Sequence, residues 1–133
     1  MNFVLDCSVT MTWFFEDEID PAGRALLDRA TEGEAVVPAI WAGEVANALL
    51  TAERRGKMTR AKVDEDAELL ARLPIGVDRT SATPADLIAL ARRYQLSSYD
   101  SSYLELALRL RLPLATRDRR LTDAAGAAKV ELA

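Results

Sequence analysis

A chain of 133 residues, half of them hydrophobic, is long enough to bury one core without cross-links and is expected to form a single domain over 1–133. It has no histidine and one cysteine, Cys7, which excludes imidazole-based zinc sites, serine–histidine triads, histidine-based ribonuclease chemistry and an internal disulfide. The formal charge of −4 argues against a broadly basic nucleic-acid surface, so any phosphate contact must come from local clusters of arginine and lysine.

The opening Met-Asn-Phe-Val-Leu-Asp is too short an apolar run for a signal peptide, and no stretch approaches the roughly 20 apolar residues of a membrane helix. A cytoplasmic chain without membrane association is expected. Short apolar runs then alternate with longer segments of helical period, the pattern of an α/β domain with a largely parallel sheet. Strands are expected at 2–5, 35–37, 75–77, 113–116 and 129–132. After the first comes a helix over about 8–15, an acidic loop at 16–20, and a helix over about 21–31 with Pro21 at its first position. Trp41, Val45 and Leu49, at i, i+4 and i+8, mark the apolar face of a helix over 40–55 that Gly56 ends. Further helices are expected from Thr59 to about 72, from Thr83 to about 95, from Ser98 or Asp100 to about 111, and briefly after Asp118.

Without histidine, catalysis has to run on carboxylates, hydroxyls, lysine or arginine, and carboxylate chemistry on a charged substrate commonly uses a hard cation such as Mg²⁺ or Mn²⁺. Asp6 directly follows the first strand and Asp118 opens the turn after the fourth, where ligands bind in open α/β sheets; taken alone, each also reads as a helix N-cap. Asp100 lies at a helix start with serines to spare at 97, 98, 101 and 102. Glu44 is within the first turns of its helix, so a cap does not explain it, although a solvent-facing glutamate does. Asn47, one turn on, shares a face with Glu44 and suits a hydrogen bond to it or to a substrate. If the four acids converge on one crevice, their repulsion raises their pKa values and divalent cations relieve it. Arg117, Arg119 and Arg120 surround Asp118 in sequence and are the candidate phosphate contacts. Trp13, Phe14 and Phe15 cannot all face one core; the run suits either packing or a groove for an amphipathic segment.

Four segments carry a resemblance in order: Val4-Leu5-Asp6-Cys7-Ser8 with Trp13; Val37-Pro38 leading to Glu44-Val45-Ala46-Asn47-Ala48-Leu49; Ser98-Tyr99-Asp100 leading to Tyr103-Leu104; and Leu114-Ala115-Thr116-Arg117-Asp118 with Leu121. Together they make a chain that resembles PIN-domain ribonucleases, specifically the VapC-type toxins of type II toxin–antitoxin systems. The resemblance implies a five-stranded parallel sheet flanked by helices. It also implies Mg²⁺- or Mn²⁺-dependent endonucleolytic cleavage of RNA, with Asp6, Glu44, Asp100 and Asp118 as the acidic metal-binding set. A homodimer neutralised by a cognate VapB-type antitoxin, in a heterotetramer or larger assembly, follows from it too. Ser8 and Thr116 resemble hydroxyl positions beside the metal; capping for Ser8 and an ordinary strand place for Thr116 stay open. Cys7, where a small residue such as alanine is usual, reads as packing, since no histidine is present to activate it. The competing reading is a catalytically silent PIN-like module that only binds RNA or protein.

Overall fold

The computed structural model describes residues 1–15, 17–80 and 82–133; Glu16, the first residue of the expected acidic loop, lies outside them. The elements run β1 (Phe3–Leu5), α1 (Cys7–Thr12), α2 (Pro21–Thr31), β2 (Ala35–Pro38), α3 (Ile40–Arg54), α4 (Arg60–Arg72), β3 (Gly76–Asp78), α5 (Pro84–Tyr94), α6 (Ser98–Leu110), β4 (Leu114–Ala115) and α7 (Arg119–Ala127). All ladders are parallel and the strand order is β3-β2-β1-β4, with Val4 paired to both Val36 and Leu114. The α/β class with a parallel sheet therefore holds.

Local chemistry sets most helix ends. Asp20 and Thr59 accept from the backbone N–H groups of Gly23 and Lys62, and Thr83 and Asp86 form a reciprocal capping box ahead of α5. Gly56 follows α3 at φ +72°, the left-handed turn that glycine takes without strain. The expected helix over 8–15 is shorter: α1 ends at Thr12, and the Trp13 indole donates to the carbonyl of Gly23 in α2.

The expected fifth strand is corrected. Among the described residues the sheet has four strands, and residues 129–132 contribute one bridge, Leu114 to Leu132. The reason is competition for backbone groups. The N–H groups of Lys129 and Val130 close α7 by donating to Gly126 and Ala125, and Lys129 turns at φ +60°. Only Glu131 and Ala133 are left to bond Leu114, through the Leu114 N–H and carbonyl.

β1 is wholly buried at the centre of the sheet, under Val45 and Leu49 of α3, Tyr103, Leu104, Leu106 and Ala107 of α6, and Leu121, Ala124 and Ala125 of α7. The chain leaves β1 towards β2 on one side, and only later adds β4 on the other. The order thus reverses between β1 and β4, and the crevice outside the carboxyl ends of two such strands is where open α/β sheets bind ligands.

Candidate active site

Asp6 leaves the end of β1 at that reversal point, and the Thr116–Asp118 segment leaves the end of β4 beside it. Asp6 occupies the N-cap position of α1, yet among the described residues its side chain makes no cap hydrogen bond. Capping therefore does not account for it. Only 5% exposed, its Oδ2 instead accepts from two hydroxyls, Ser8 Oγ at 2.6 Å and Thr116 Oγ1 at 2.7 Å. Those hydroxyls are themselves held by backbone: the Arg117 N–H donates to Ser8 Oγ at 2.8 Å and the Asp118 N–H to Thr116 Oγ1 at 3.0 Å. Ser8 and Thr116, 108 residues apart, thus fix one carboxylate oxygen of Asp6.

The other three acids arrive from separate elements. Glu44 is half-buried on α3, and the buried Tyr103 of α6 donates its hydroxyl to Glu44 Oε1 at 2.5 Å. Asp100 sits one turn before Tyr103 on α6; Ser97 accepts the Asp100 N–H and caps the helix, which frees the Asp100 carboxylate from that task. Asp118 does act as a cap, accepting the Leu121 N–H through Oδ1 at 2.9 Å. Its charge nevertheless reaches both Asp6 and Asp100.

The charges of the set reach one another. Burial pushes the Asp6 carboxyl above the ordinary carboxylate value, against the pull of Ser8 and Thr116, and the charge of Asp118 adds to the rise. Burial likewise raises Glu44, opposed by Tyr103 and aided by Asp6 and Asp100. Asp100 is raised by burial and then by the charges of Asp118 and Asp6. Each of these acids feels at least one of the others, the signature of like charges gathered in a low-dielectric crevice.

The chain matches the family model of the PIN domain over residues 3–127. It belongs to the PIN-domain family. Two solved structures share the fold. The crystal structure of PAE2754 from Pyrobaculum aerophilum is 18% identical at a TM-score of 0.68, covering 93% of this chain and 84% of that one. A toxin–antitoxin complex from Klebsiella pneumoniae is 20% identical at a TM-score of 0.65, covering 97% of this chain and 95% of that one. No match was found among curated proteins.

The chemistry of this PIN domain's donor set suits a hard divalent cation: all four donors are carboxylates, and their mutual repulsion is what such an ion relieves. Among the described residues no three ligand-type side chains close into a ready-made cage. Mg²⁺ in general takes one or two carboxylates and keeps waters for a substrate to displace. Asp6, oriented by two hydroxyls, and Glu44, oriented by Tyr103, are the best-held donors. Cys7 takes no part, since burial first and then the charges of Asp6 and Glu44 push its thiol up to about 12.

Two candidates stand differently from their sequence expectation in the PIN domain. Asn47 is exposed, and the hydrogen bond to Glu44 comes from Tyr103 instead. The Arg117 guanidinium spans the gap to Asp20, at 2.8 Å to Oδ2 and 2.6 Å to Oδ1, and holds the Asp20 carboxyl well below its usual range. Arg117 is thereby committed to tying the loop after β4 to the start of α2. Arg119 and Arg120 are exposed, and the charge of Arg120 lowers Asp100.

Tyr103 as a positioning residue was the missed element; its sequence signals are its place in the third resemblance segment and the three-residue step from Asp100, which puts both on one side of α6. Tyr103→Phe is expected to weaken Mg²⁺ binding about tenfold, because an outer hydrogen bond that orients a ligand is lost. Calorimetric titration reads the affinity, and a parallel melt should show the metal-free protein lowered by only a few degrees. Unchanged affinity would remove Tyr103 from the site.

Proposed function

We propose that this chain is a Mg²⁺- or Mn²⁺-dependent endoribonuclease, the toxin of a VapBC-type toxin–antitoxin pair, in which Asp6, Glu44, Asp100 and Asp118 form the acidic centre. The observation that carries this reading is the gathering of four carboxylates, with raised pKa values at Asp6, Glu44 and Asp100, at the strand-order reversal of a PIN fold. When bound, a divalent cation supplies water activation and neutralises charge developing on a phosphodiester. The chain's own part is to orient Asp6 through Ser8 and Thr116, to orient Glu44 through Tyr103, and to hold Asp100 and Asp118 across the crevice. With no histidine in the chain, the carboxylates are the groups placed to serve the attacking water.

The likeness to a structure described as a toxin–antitoxin complex supports an antitoxin partner. So does the aromatic run: Trp13 and Phe15 pack against the core, whereas Trp13 and Phe14 also border a 370 Å³ groove with Leu27, Leu69, Leu70 and Leu73. Such a groove suits the apolar face of a helix. A homodimer is supported by α5, which has an apolar stripe yet no buried residue, with Ile88 46% exposed. Among the described residues no helix is long and apolar enough to cross a membrane; we place the chain in the cytoplasm, as one PIN unit over 1–133.

The test is cleavage of labelled total RNA and transfer RNA by purified protein with Mg²⁺, Mn²⁺ or EDTA, beside Asp6→Ala prepared identically. Cuts are expected with metal, and neither with EDTA nor in the variant. No cleavage of any RNA with either metal would leave a binding module in place of a nuclease.

A further inference from the structure

A wide groove runs between α1 and α3. Its volume is about 690 Å³, and Met11, Phe15, Asp17, Glu18, Asn47, Ala48, Thr51, Ala52, Arg55 and Lys57 line it. Met11 lies one turn beyond Cys7 on α1, and Ala48 one turn beyond Glu44 on α3. The helices α1 and α3 pack together, and one turn back along them stand Cys7, next to Asp6, and Glu44, so the groove leads away from the acidic centre. Along its α3 wall the side chains change in character. Glu44 is followed by the Asn47 amide, then the Thr51 hydroxyl, then the Arg55 guanidinium, about 16 Å from Glu44 at 1.5 Å per residue, with Lys57 just past the helix end.

The arginines and lysines of this chain divide into two groups. Arg29, Lys62, Arg109 and Arg117 are paired to carboxylates. Among the described residues Arg55 and Lys57 make no ion pair, although both stand in a groove whose other wall carries Asp17 and Glu18. An unpaired guanidinium and ammonium at the end of a polar track from a phosphodiester-cleaving centre form a surface complementary to a nucleic-acid backbone. The acidic wall then repels phosphates and keeps them on the α3 side. Half-buried Phe15, with a face in the groove, offers a plane on which a base can stack.

We propose that the α1–α3 groove is the substrate track, binding single-stranded RNA with its phosphates along Asn47, Thr51, Arg55 and Lys57. This rests on the ribonuclease reading above and moves the main phosphate contacts from Arg117 to the far end of α3.

Equilibrium binding of a labelled single-stranded RNA of mixed sequence, without divalent metal and over a series of salt concentrations, tests it. The background is full-length Asp100→Asn, so that the probe is not cut. Arg55→Ala with Lys57→Ala is expected to weaken binding about tenfold or more at low salt. It should also lower the salt slope by about 1.4, at roughly 0.7 per phosphate contact on single strands. Arg92→Ala with Arg93→Ala, the same loss of charge on a helix that lines no part of the groove, should leave the slope nearly unchanged. Asp17→Asn with Glu18→Gln should tighten binding. If the Arg55/Lys57 variant binds RNA like the Arg92/Arg93 control, the proposal is overturned. It is equally overturned if that variant keeps RNA affinity but loses self-association, since the groove then belongs to protein. Cleavage by otherwise native protein in Mg²⁺ is scored separately: activity that survives intact in the Arg55/Lys57 variant sinks the track alone, whereas no cleavage by the native chain sinks the nuclease reading beneath it.

Discussion

Asp6→Asn is expected to reduce metal-dependent RNA cleavage by about a thousandfold or more while leaving the fold intact. The substitution keeps the side-chain shape, and the amide oxygen can still accept from Ser8 and Thr116, the two donors that hold Oδ2. What disappears is the negative charge at the centre of the set. A bound cation is worth several kcal/mol of charge stabilisation in phosphodiester hydrolysis, and each 1.36 kcal/mol is a factor of ten, so weakening its best-oriented donor accounts for a loss of that order. Burial and Asp118 both make the Asp6 charge costly in the metal-free protein. The same variant should therefore melt no lower than its parent without metal. Retained cleavage, or a collapse of the melting transition, would contradict the role given to Asp6.

The legible part of this site was the part written locally. Asp6 directly follows an apolar run of three residues and Asp118 opens the turn after another short run, so their placement near strand ends followed from the pattern, and strand ends are where open sheets bind. Glu44 could be separated from capping residues because it falls inside a helix whose Trp41–Val45–Leu49 face was readable, and that face is buried in the fold. The illegible part depends on partners distant in sequence. Nothing local tells that Tyr103 reaches Glu44 across 59 residues, or that Arg117 turns to Asp20 across 97. Sequence proximity to Asp118 made Arg117 a candidate phosphate ligand, and nothing local told that its guanidinium pairs with Asp20. The fifth strand failed for a comparable reason. Residues 129–132 have strand composition, but the end of α7 takes the backbone donors that a ladder would need.

Metal and pH should act on stability in opposite senses. Asp6, Glu44 and Asp100 have pKa values above their ordinary 3.8 and 4.5, so over that raised range the folded chain binds more protons than the unfolded one. The slope of unfolding free energy with pH, proportional to protons bound unfolded minus folded, is then negative. The metal-free protein accordingly gains stability as the pH falls from neutral through the raised values, and the gain ends once the unfolded carboxylates protonate as well. Asp20 and Glu34 work the other way: their values are depressed, chiefly by Arg117 and Arg29, and the stability they contribute is lost only as the pH falls below the ordinary carboxylate range. Both are partly exposed, so their share is small. Mg²⁺ needs the ionised carboxylates. At a concentration about a hundred times its dissociation constant it should add about 2.7 kcal/mol at neutral pH, a rise of about 10 °C in melting temperature for a chain of this size. That increment should shrink as the pH falls through the same window, because protons and metal compete for the same oxygens. Melting curves with and without Mg²⁺ at a series of pH values measure both effects. A metal increment independent of pH, or metal-free stability that climbs with pH across the raised range, would mean that the four acids do not share one crevice.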